Sequence, residues 1–395
     1  MAAQREVVVL SGVRTAIGRY GGSLKDVPPT DLAAAVTREA VSRAGIEPAD
    51  VGHVVFGNCI HTDKRDPYFA RVAAVDGGLP VTTPAFTVNR LCGSGLQAIV
   101  SATQIILLGD ADVAVAGGGE SMSRAQYWAP SVRWGQRMGD GALLDSMTAA
   151  LTDPFEDCHM GVTAENVAAK WGVSREDQDA LAVESHRRAA NATEKGYFAD
   201  QILPIEVKVK GGTKPFATDE HFRADASMEA MAKLRPVFSK GGTVTAGNAS
   251  GTNDAAAAVV LMERGEAERR GLTPLGRLVA YSHAGVEPRY MGVGPTPAVQ
   301  ALLEKTGLKV DDLDVIELNE AFAAQALAVV RDLGLPLERT NPNGSGISLG
   351  HPVAATGAIL TVKALYELAR VGGRYALVTM CIGGGQGIAA IFERI

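Results

Sequence analysis

The chain has 395 residues, is 46% apolar and 21% charged, and carries a net charge of −6. That length calls for two or three domains or one large repeated unit. The acidic balance and an aromatic content of only 5% exclude a basic nucleic-acid footprint and a base-stacking surface. No membrane partner is expected either, because no apolar run reads as long enough to span a bilayer. Cys59, Cys92, Cys158 and Cys381 are the four cysteines, none in CxxC spacing, so they form no disulfide framework. Glu6-Val7-Val8-Val9-Leu10 is already strand-like, and a cytoplasmic protein without a removable leader is expected.

Val7–Leu10 reads as the first strand, and Thr30 as the cap of a helical pattern, Leu32–Ala44, ended by Gly45. His53–Phe56 predicts a strand, Tyr68–Val75 a short helix and Ala85–Val88 another strand. The apolar run after Cys92 predicts a helix to Gly109, and Asp112–Ala116 a strand before Gly117-Gly118-Gly119. Such alternation points to a mainly parallel sheet covered on both faces. From Ser121 to about Gly247 the strand signals fade. Charged amphipathic helices replace them, one opened by Ser174 and Asp177 in capping-box spacing and running towards Lys195. Alternation returns with strands at Ala255–Met262 and Leu278–Ser282 and a helix at Pro297–Lys305. The strand Val315–Leu318, helices from Ala321 and over Thr356–Arg370, and the strand Tyr375–Met380 complete it.

Two stretches look alike. Phe86–Gly119 runs strand, Asn89, Gly-Ser-Gly, long helix, strand, triple glycine. Thr340–Gly387 offers Asn341, Gly344-Ser345-Gly346, a long helix, a strand and Gly383-Gly384-Gly385. The fold class expected is α/β, with duplicated α/β halves and an inserted, mostly helical segment. The N-terminal half would cover 1–120, completed by about 248–272, the insertion 121–247, and the C-terminal half 273–395. Ligand would bind where strand ends of both halves meet.

The chemistry-bearing residues fall in four motifs. Cys92 follows a strand and precedes a helix, where the helix dipole favours thiolate, the nucleophile of acyl transfer. The competing reading is a buried free thiol at a packing turn. His351, fixed between Gly350 and Pro352 just before a helix, is a candidate general base. Cys381 ends a buried strand and is followed by glycine amides able to face a ligand oxygen. Asn319, in Asn319-Glu320-Ala321-Phe322-Ala323, presents an amide at a helix start. Cys92, Cys381 and His351 are also zinc-ligand types, but a fourth ligand is missing, and no metal is expected.

Taken together, these motifs resemble those of the thiolases (acyl-CoA:acetyl-CoA C-acyltransferases), in particular the bacterial biosynthetic β-ketothiolases. The resemblance runs from Arg14-Thr15-Ala16 and Gly21-Gly22-Ser23-Leu24 to the last strand. It implies the thiolase-like, five-layered α-β-α-β-α fold with a loop domain, and a homotetramer built as a dimer of dimers. It also implies reversible Claisen condensation of acetyl-CoA with an acyl-CoA, or CoA-dependent thiolysis of a short-chain 3-ketoacyl-CoA. Coenzyme A and acyl-CoA would be substrates, with no permanently bound cofactor. Cys92 would carry the acyl group and His351 take its proton. Cys381 would move the α-carbon proton, and the amides of Cys92 and Gly383 would form the oxyanion hole. Asn319 would hold a water beside His351. For coenzyme A the resemblance implies Ala249 and Ser250 at the pantetheine turn, His159 and Met160 near the thioester, and Arg223 near the adenine. Met160, Met291 and Phe322 would border the acyl pocket.

Residues 201–240 carry seven Lys/Arg against five acids, which reads either as a phosphate-facing surface or as a solvated face. Three departures from the usual family pattern bear on acyl preference: Ala354, Leu318 and the stretch His61–Phe69. The alternatives are a related condensing enzyme with altered catalysis and an acyl-CoA-binding carrier. The presence of both cysteines with Asn319 and His351 speaks against each.

Overall fold

The computed structural model describes residues 5–395. Its principal strands, in chain order, are β1 (Val7–Thr15), β2 (His53–Gly57), β3 (Ala85–Val88), β4 (Val113–Ser121), β5 (Asn253–Glu263), β6 (Gly276–Gly285), β7 (Val315–Leu318), β8 (Tyr375–Ile382) and β9 (Gln386–Glu393). The helices that matter here are α1 (Pro29–Ala44), α2 (Phe69–Asp76), α3 (Ser94–Leu108), α4 (Met160–Trp171), α5 (Arg175–Glu194), α6 (Pro295–Thr306), α7 (Ala323–Leu333) and α8 (Thr356–Val371). The sheet order is β7-β8-β9-β6-β1-β5-β4-β2-β3. β1 and β6 join through two residue pairs, Val8↔Arg277 and Val9↔Gly276.

Outward from that joint, β1-β5-β4-β2-β3 mirrors β6-β9-β8-β7, and Thr340 bridges Ile316 in parallel where a fifth strand would lie. The duplication is therefore one of topology. α3 and α8 pack on each other and on the sheet of both halves, while α1 and α2 cover one outer face and α6 and α7 the other. Helix, sheet, helix pair, sheet and helix give five layers. Being sandwiched explains why the stretch Leu91–Leu108 is, against expectation, long and apolar enough to cross a membrane, with a mean hydropathy of 1.6. Its buried face packs on α8 and the strands beneath, while Leu107 and Leu108 at its end are exposed.

Other expectations change in detail. The sheet is mixed rather than mainly parallel: β2 pairs in parallel with β3 and β4, and β7 with β8, but β5 and β9 run antiparallel to both their neighbours. β9 arrives through a tight turn and β5 returns from the long excursion, and neither comes through the crossover helix that parallel neighbours usually require. Thr30 lies inside α1, whose N-cap is Pro28; Gly45 does close the helix, at φ 66°. Residues 122–252 hold α4 and α5, the latter capped by Ser174 accepting from Asp177 N–H, and also a hairpin, Ile205–Val209 with Gly212–Phe216. Arg14 on β1 and Asp219, both fully buried, pair at 2.7 Å and fasten this excursion to the sheet. Breaking such a pair from one side would strand a buried charge.

The two triple glycines are not equivalent. Gly383-Gly384-Gly385 is the β8–β9 turn, with φ of 80° at Gly384 and 86° at Gly385. Gly117-Gly118-Gly119 lies within β4, where the requirement is space. A Cβ on Gly118 would stand 2.1 Å from the Ala354 carbonyl oxygen. Gly118→Ala is accordingly expected to cost about 2–4 kcal/mol, since the obstacle is backbone and cannot swing away. Urea unfolding of the variant against wild type measures it.

Candidate active site

Cys92 lies in a single 3₁₀ turn, Leu91–Gly93, between β3 and α3. The turn forces Leu91 to φ 45°, and three hydrogen bonds hold it there. Leu91 N–H donates to Asn89 Oδ1 (2.9 Å), Arg90 N–H to Ser94 Oγ (2.8 Å), and Ser94 Oγ–H to the Leu91 carbonyl (2.7 Å). Such strain persists because the surroundings over-determine the backbone. The glycines serve the approach of the central helices. A Cβ on Gly95 would lie 2.7 Å from Ala358 N, and one on Gly357 2.3 Å from Leu96 N. The N-termini of α3 and α8 thus meet side by side, one from each half.

A pocket of about 370 Å³ opens there. Cys92, His351, Cys381, Gly383, Ala249, Ser250, His159, Met160, Met291 and Phe322 all line it. Asn319 stands behind, fully buried, with Nδ2 3.4 Å from His351 Nε2 and with Oδ1 lacking a protein partner. Arg223 lines a neighbouring pocket of about 240 Å³ with His186 and His221, and the two cavities share Ala246. The rest of the charged 201–240 segment divides. Asp219 is buried against Arg14, whereas Lys208, Lys210, Lys214, Lys233, Arg235 and Lys240 are exposed and line neither cavity. Ala354 and Leu318 are buried away from the catalytic pocket.

The reading of motifs missed the apolar wall. Leu91, Met122, Ala150, Leu151 and Val353 line the side beyond Cys92, and Val237 and Phe238 the entrance side with His159. Phe238 stacks on the His159 ring at 4.8 Å, and a Cβ on Gly161 would fall 2.2 Å from it. Ala150 and Leu151 come from the excursion, whose sequence carries no periodic signal at that point. Glu120 was also missed. It is fully buried at the end of β4 and accepts from Asn58 Nδ2 (3.2 Å), Ile60 N–H (3.0 Å) and Ala354 N–H (3.0 Å). One carboxyl thereby ties the loop after β2 to the loop carrying His351. Burial raises its pKa to about 7.

Electrostatics run against the thiolate-favouring effect read from the helix start and fit a Cys92 that must give up a proton. Burial pushes the Cys92 thiol up to about 11, and Glu120 adds to this. The amides of Gly383 and of Cys92 itself oppose the rise without cancelling it. Desolvation outweighs the helix end because the pocket wall is apolar and supplies no cation. Burial lowers His351 to about 4, so its imidazole is neutral near pH 7. Cys381, wholly buried at the end of β8, is raised well above an ordinary thiol, first by burial and then by the proximity of Cys92. The resting site is two thiols and a neutral imidazole. Among the described residues, no three His, Cys, Asp or Glu side chains cluster as a metal site.

The family models described as thiolase N-terminal domain and thiolase C-terminal domain match residues 7–265 and 272–394. The chain belongs to the thiolase family. It is 68% identical to the β-ketothiolase BktB of Cupriavidus necator, over 99% of this chain and 100% of that protein. It is 45% identical to the bovine mitochondrial 3-ketoacyl-CoA thiolase over 100% and 99% of the two chains. The structure of the Bacillus anthracis acetyl-CoA acetyltransferase superposes with a TM-score of 0.97 at 46% identity, each chain covered in full. Human mitochondrial 3-ketoacyl-CoA thiolase in complex with CoA gives 0.97 at 44% identity, with 100% of this chain and 99% of that one covered. This thiolase is a CoA-dependent acyltransferase, and the carrier and altered-catalysis readings are not favoured.

Proposed function

We propose that this thiolase condenses acetyl-CoA with short acyl-CoAs, and cleaves the corresponding 3-ketoacyl-CoAs with CoA, through an acyl-Cys92 intermediate. The observation that carries this reading is the convergence of two thiols, a neutral imidazole and the Gly383 amide on one apolar-walled pocket. Cys92 attacks the thioester while Nε2 of His351 takes its proton. The amides of Cys92 and Gly383, which face the sulfur at rest, then receive the developing oxyanion. Cys381 removes or returns the α-carbon proton. Asn319, with a buried carbonyl oxygen free of protein partners, holds a water that supports the enolate beside His351.

The same reading assigns coenzyme A to the two linked cavities. Ala249, Ser250 and His159 would flank pantetheine, and Arg223, at the outer cavity, would face the adenine nucleotide. Domain limits of 1–120 with about 248–272, 121–247 and 273–395 go with it, the middle segment being the CoA-binding loop domain. So do a homotetrameric assembly, a cytoplasmic location, and the absence of a permanent cofactor.

Substrate breadth tests the acyl side. Met160 and Met291 are flexible walls able to adapt to different chains, and neither Ala354 nor Leu318 intrudes. Each further buried methylene contributes up to about 0.8 kcal/mol. We expect 3-ketovaleryl-CoA to be cleaved with kcat/KM within about tenfold of acetoacetyl-CoA, a gap of ~1.4 kcal/mol. Initial rates of CoA-dependent thiolysis over a series of chain lengths measure this. A hundredfold preference for acetoacetyl-CoA would show a closed pocket, and no CoA-dependent loss of any 3-ketoacyl-CoA would overturn the reading altogether.

A further inference from the structure

One hydrogen-bond chain behind His351 has a chemical consequence. Nδ1 of His351 lies 2.6 Å from the hydroxyl oxygen of Thr356, and that hydroxyl lies 3.0 Å from the Pro352 carbonyl. A carbonyl only accepts, so the Thr356 proton points to Pro352, and the hydroxyl oxygen is left to accept from the ring. A neutral imidazole has one N–H; with Thr356 Oγ1 as its acceptor and the donor nitrogen Nδ2 of Asn319 facing Nε2, the arrangement favours that N–H on Nδ1. Nε2 is then the bare nitrogen, on the side of Asn319. The rest of the loop fixes the ring's position: His351 N–H donates to Asn253 Oδ1 at 2.9 Å, and Gly350, at φ 108°, leaves no room for a Cβ against the Asn253 side chain. Thr356 itself is 2% exposed, so water does not compete for its hydroxyl. The Pro352 carbonyl also accepts from Ala355 N–H and Thr356 N–H at 2.9 and 3.0 Å, so the helix turn is held without the hydroxyl, which shares that acceptor.

We propose that Thr356 is a positioning residue for catalysis, whose hydroxyl selects the Nδ1–H tautomer of His351 and so keeps Nε2 free for the Cys92 proton. The inference rests on His351 being the base of the acylation step. In that step the S–H bond of Cys92 breaks and its proton moves to Nε2. The sulfur pair forms the bond to the thioester carbon. Collapse of the tetrahedral intermediate breaks the bond to the CoA sulfur, which leaves with the proton from Nε2. Nδ1–H stays on Thr356 throughout. With Nε2 protonated instead, the ring would present a donor to a thiol, and no group in this pathway could accept the proton.

Three variants and one spectrum test it. Thr356→Val keeps the shape and removes the acceptor, Thr356→Ser keeps the hydroxyl, and His351→Gln removes the base. Single-turnover transfer of acetyl from acetyl-CoA to Cys92 is expected to slow about 30–100-fold in Thr356→Val, less than the ~10²–10⁴-fold of a lost general base because the ring remains and only its tautomer changes. KM for acetyl-CoA should stay within about threefold, and Thr356→Ser should keep the wild-type rate within the same factor. Nitrogen-15 histidine spectra should show His351 protonated at Nδ1 in wild type and at Nε2 in Thr356→Val. Transfer at the wild-type rate in Thr356→Val, with His351→Gln inactive, overturns the role of Thr356 and leaves the base intact. Wild-type transfer in His351→Gln overturns the base reading and this inference with it. Equal loss in the serine and valine variants overturns the tautomer argument. If Thr356→Val does not fold, the wild-type spectrum alone decides, and an Nε2–H resonance for resting His351 overturns the proposal.

Discussion

Cys92→Ser is expected to lower acyl transfer by about 10⁴-fold or more, the largest effect of any single substitution in this site. The resting pair is a thiol raised to about 11 and an imidazole lowered to about 4. Proton transfer between them is uphill and proceeds only as the sulfur attacks. A serine hydroxyl is a weaker acid than a thiol and widens that gap, while the amides at Cys92 and Gly383 still bind the carbonyl oxygen. Substrate binding should therefore survive as chemistry fails. The same pKa values set the pH dependence of acylation. The pair of neutral imidazole and thiol persists from above pH 4 to near the Cys92 value of about 11, so the rate should be level through neutrality and fall as pH drops through about 4. Mass spectrometry after exposure to acetyl-CoA should find one acetyl group per chain, on the Cys92 peptide. An acetyl group on Cys381 instead would reverse the two assignments.

Cys381→Ala is expected to separate the halves of the reaction. Acetyl transfer to Cys92 should remain within about tenfold of wild type, whereas condensation and thiolysis should fall about 10³-fold or more. Exchange of α-protons of acetyl-CoA with deuterated water should disappear. The physical order of events is built into the pair. A charge on Cys92 raises the Cys381 pKa, and an acylated Cys92 cannot carry that charge. Cys381 is therefore easiest to ionise after the acyl-enzyme has formed, when a base is needed. In the thiolysis direction its raised pKa suits a proton donor. Exchange at the wild-type rate in the variant would assign the α-proton to another group.

Much of this site was legible as motifs because its chemistry is local. Cys92 and His351 sit in turns whose glycines or proline are visible in the chain, Cys381 ends a strand just before three glycines, Asn319 directly follows a short, mostly apolar strand, and ten of the twelve expected residues line one pocket. Asn319 stands behind His351, and Arg223 lines an adjoining cavity. Residues that work by bringing distant segments together left no such mark. Glu120 looks like any polar residue after a glycine run, and only folding places it against Asn58, Ile60 and Ala354.

Alternating apolar strands and helices were enough to determine two α/β halves with an excursion inside the first, although Gly344-Ser345-Gly346 opens only the short helix Gly346–Leu349 and the His351 loop separates it from α8. Periodicity and turn chemistry act within a few residues and survive any tertiary arrangement. The tertiary structure alone decided that β5 and β9 return antiparallel, because direction depends on how a strand arrives and not on its own pattern. It also decided that one triple glycine is a turn and the other a passage for the Ala354 carbonyl. Last, it decided that Cys92 rests as a thiol: a helix N-terminus can be read from a sequence, but desolvation is set by what packs around it, and here that effect is the larger.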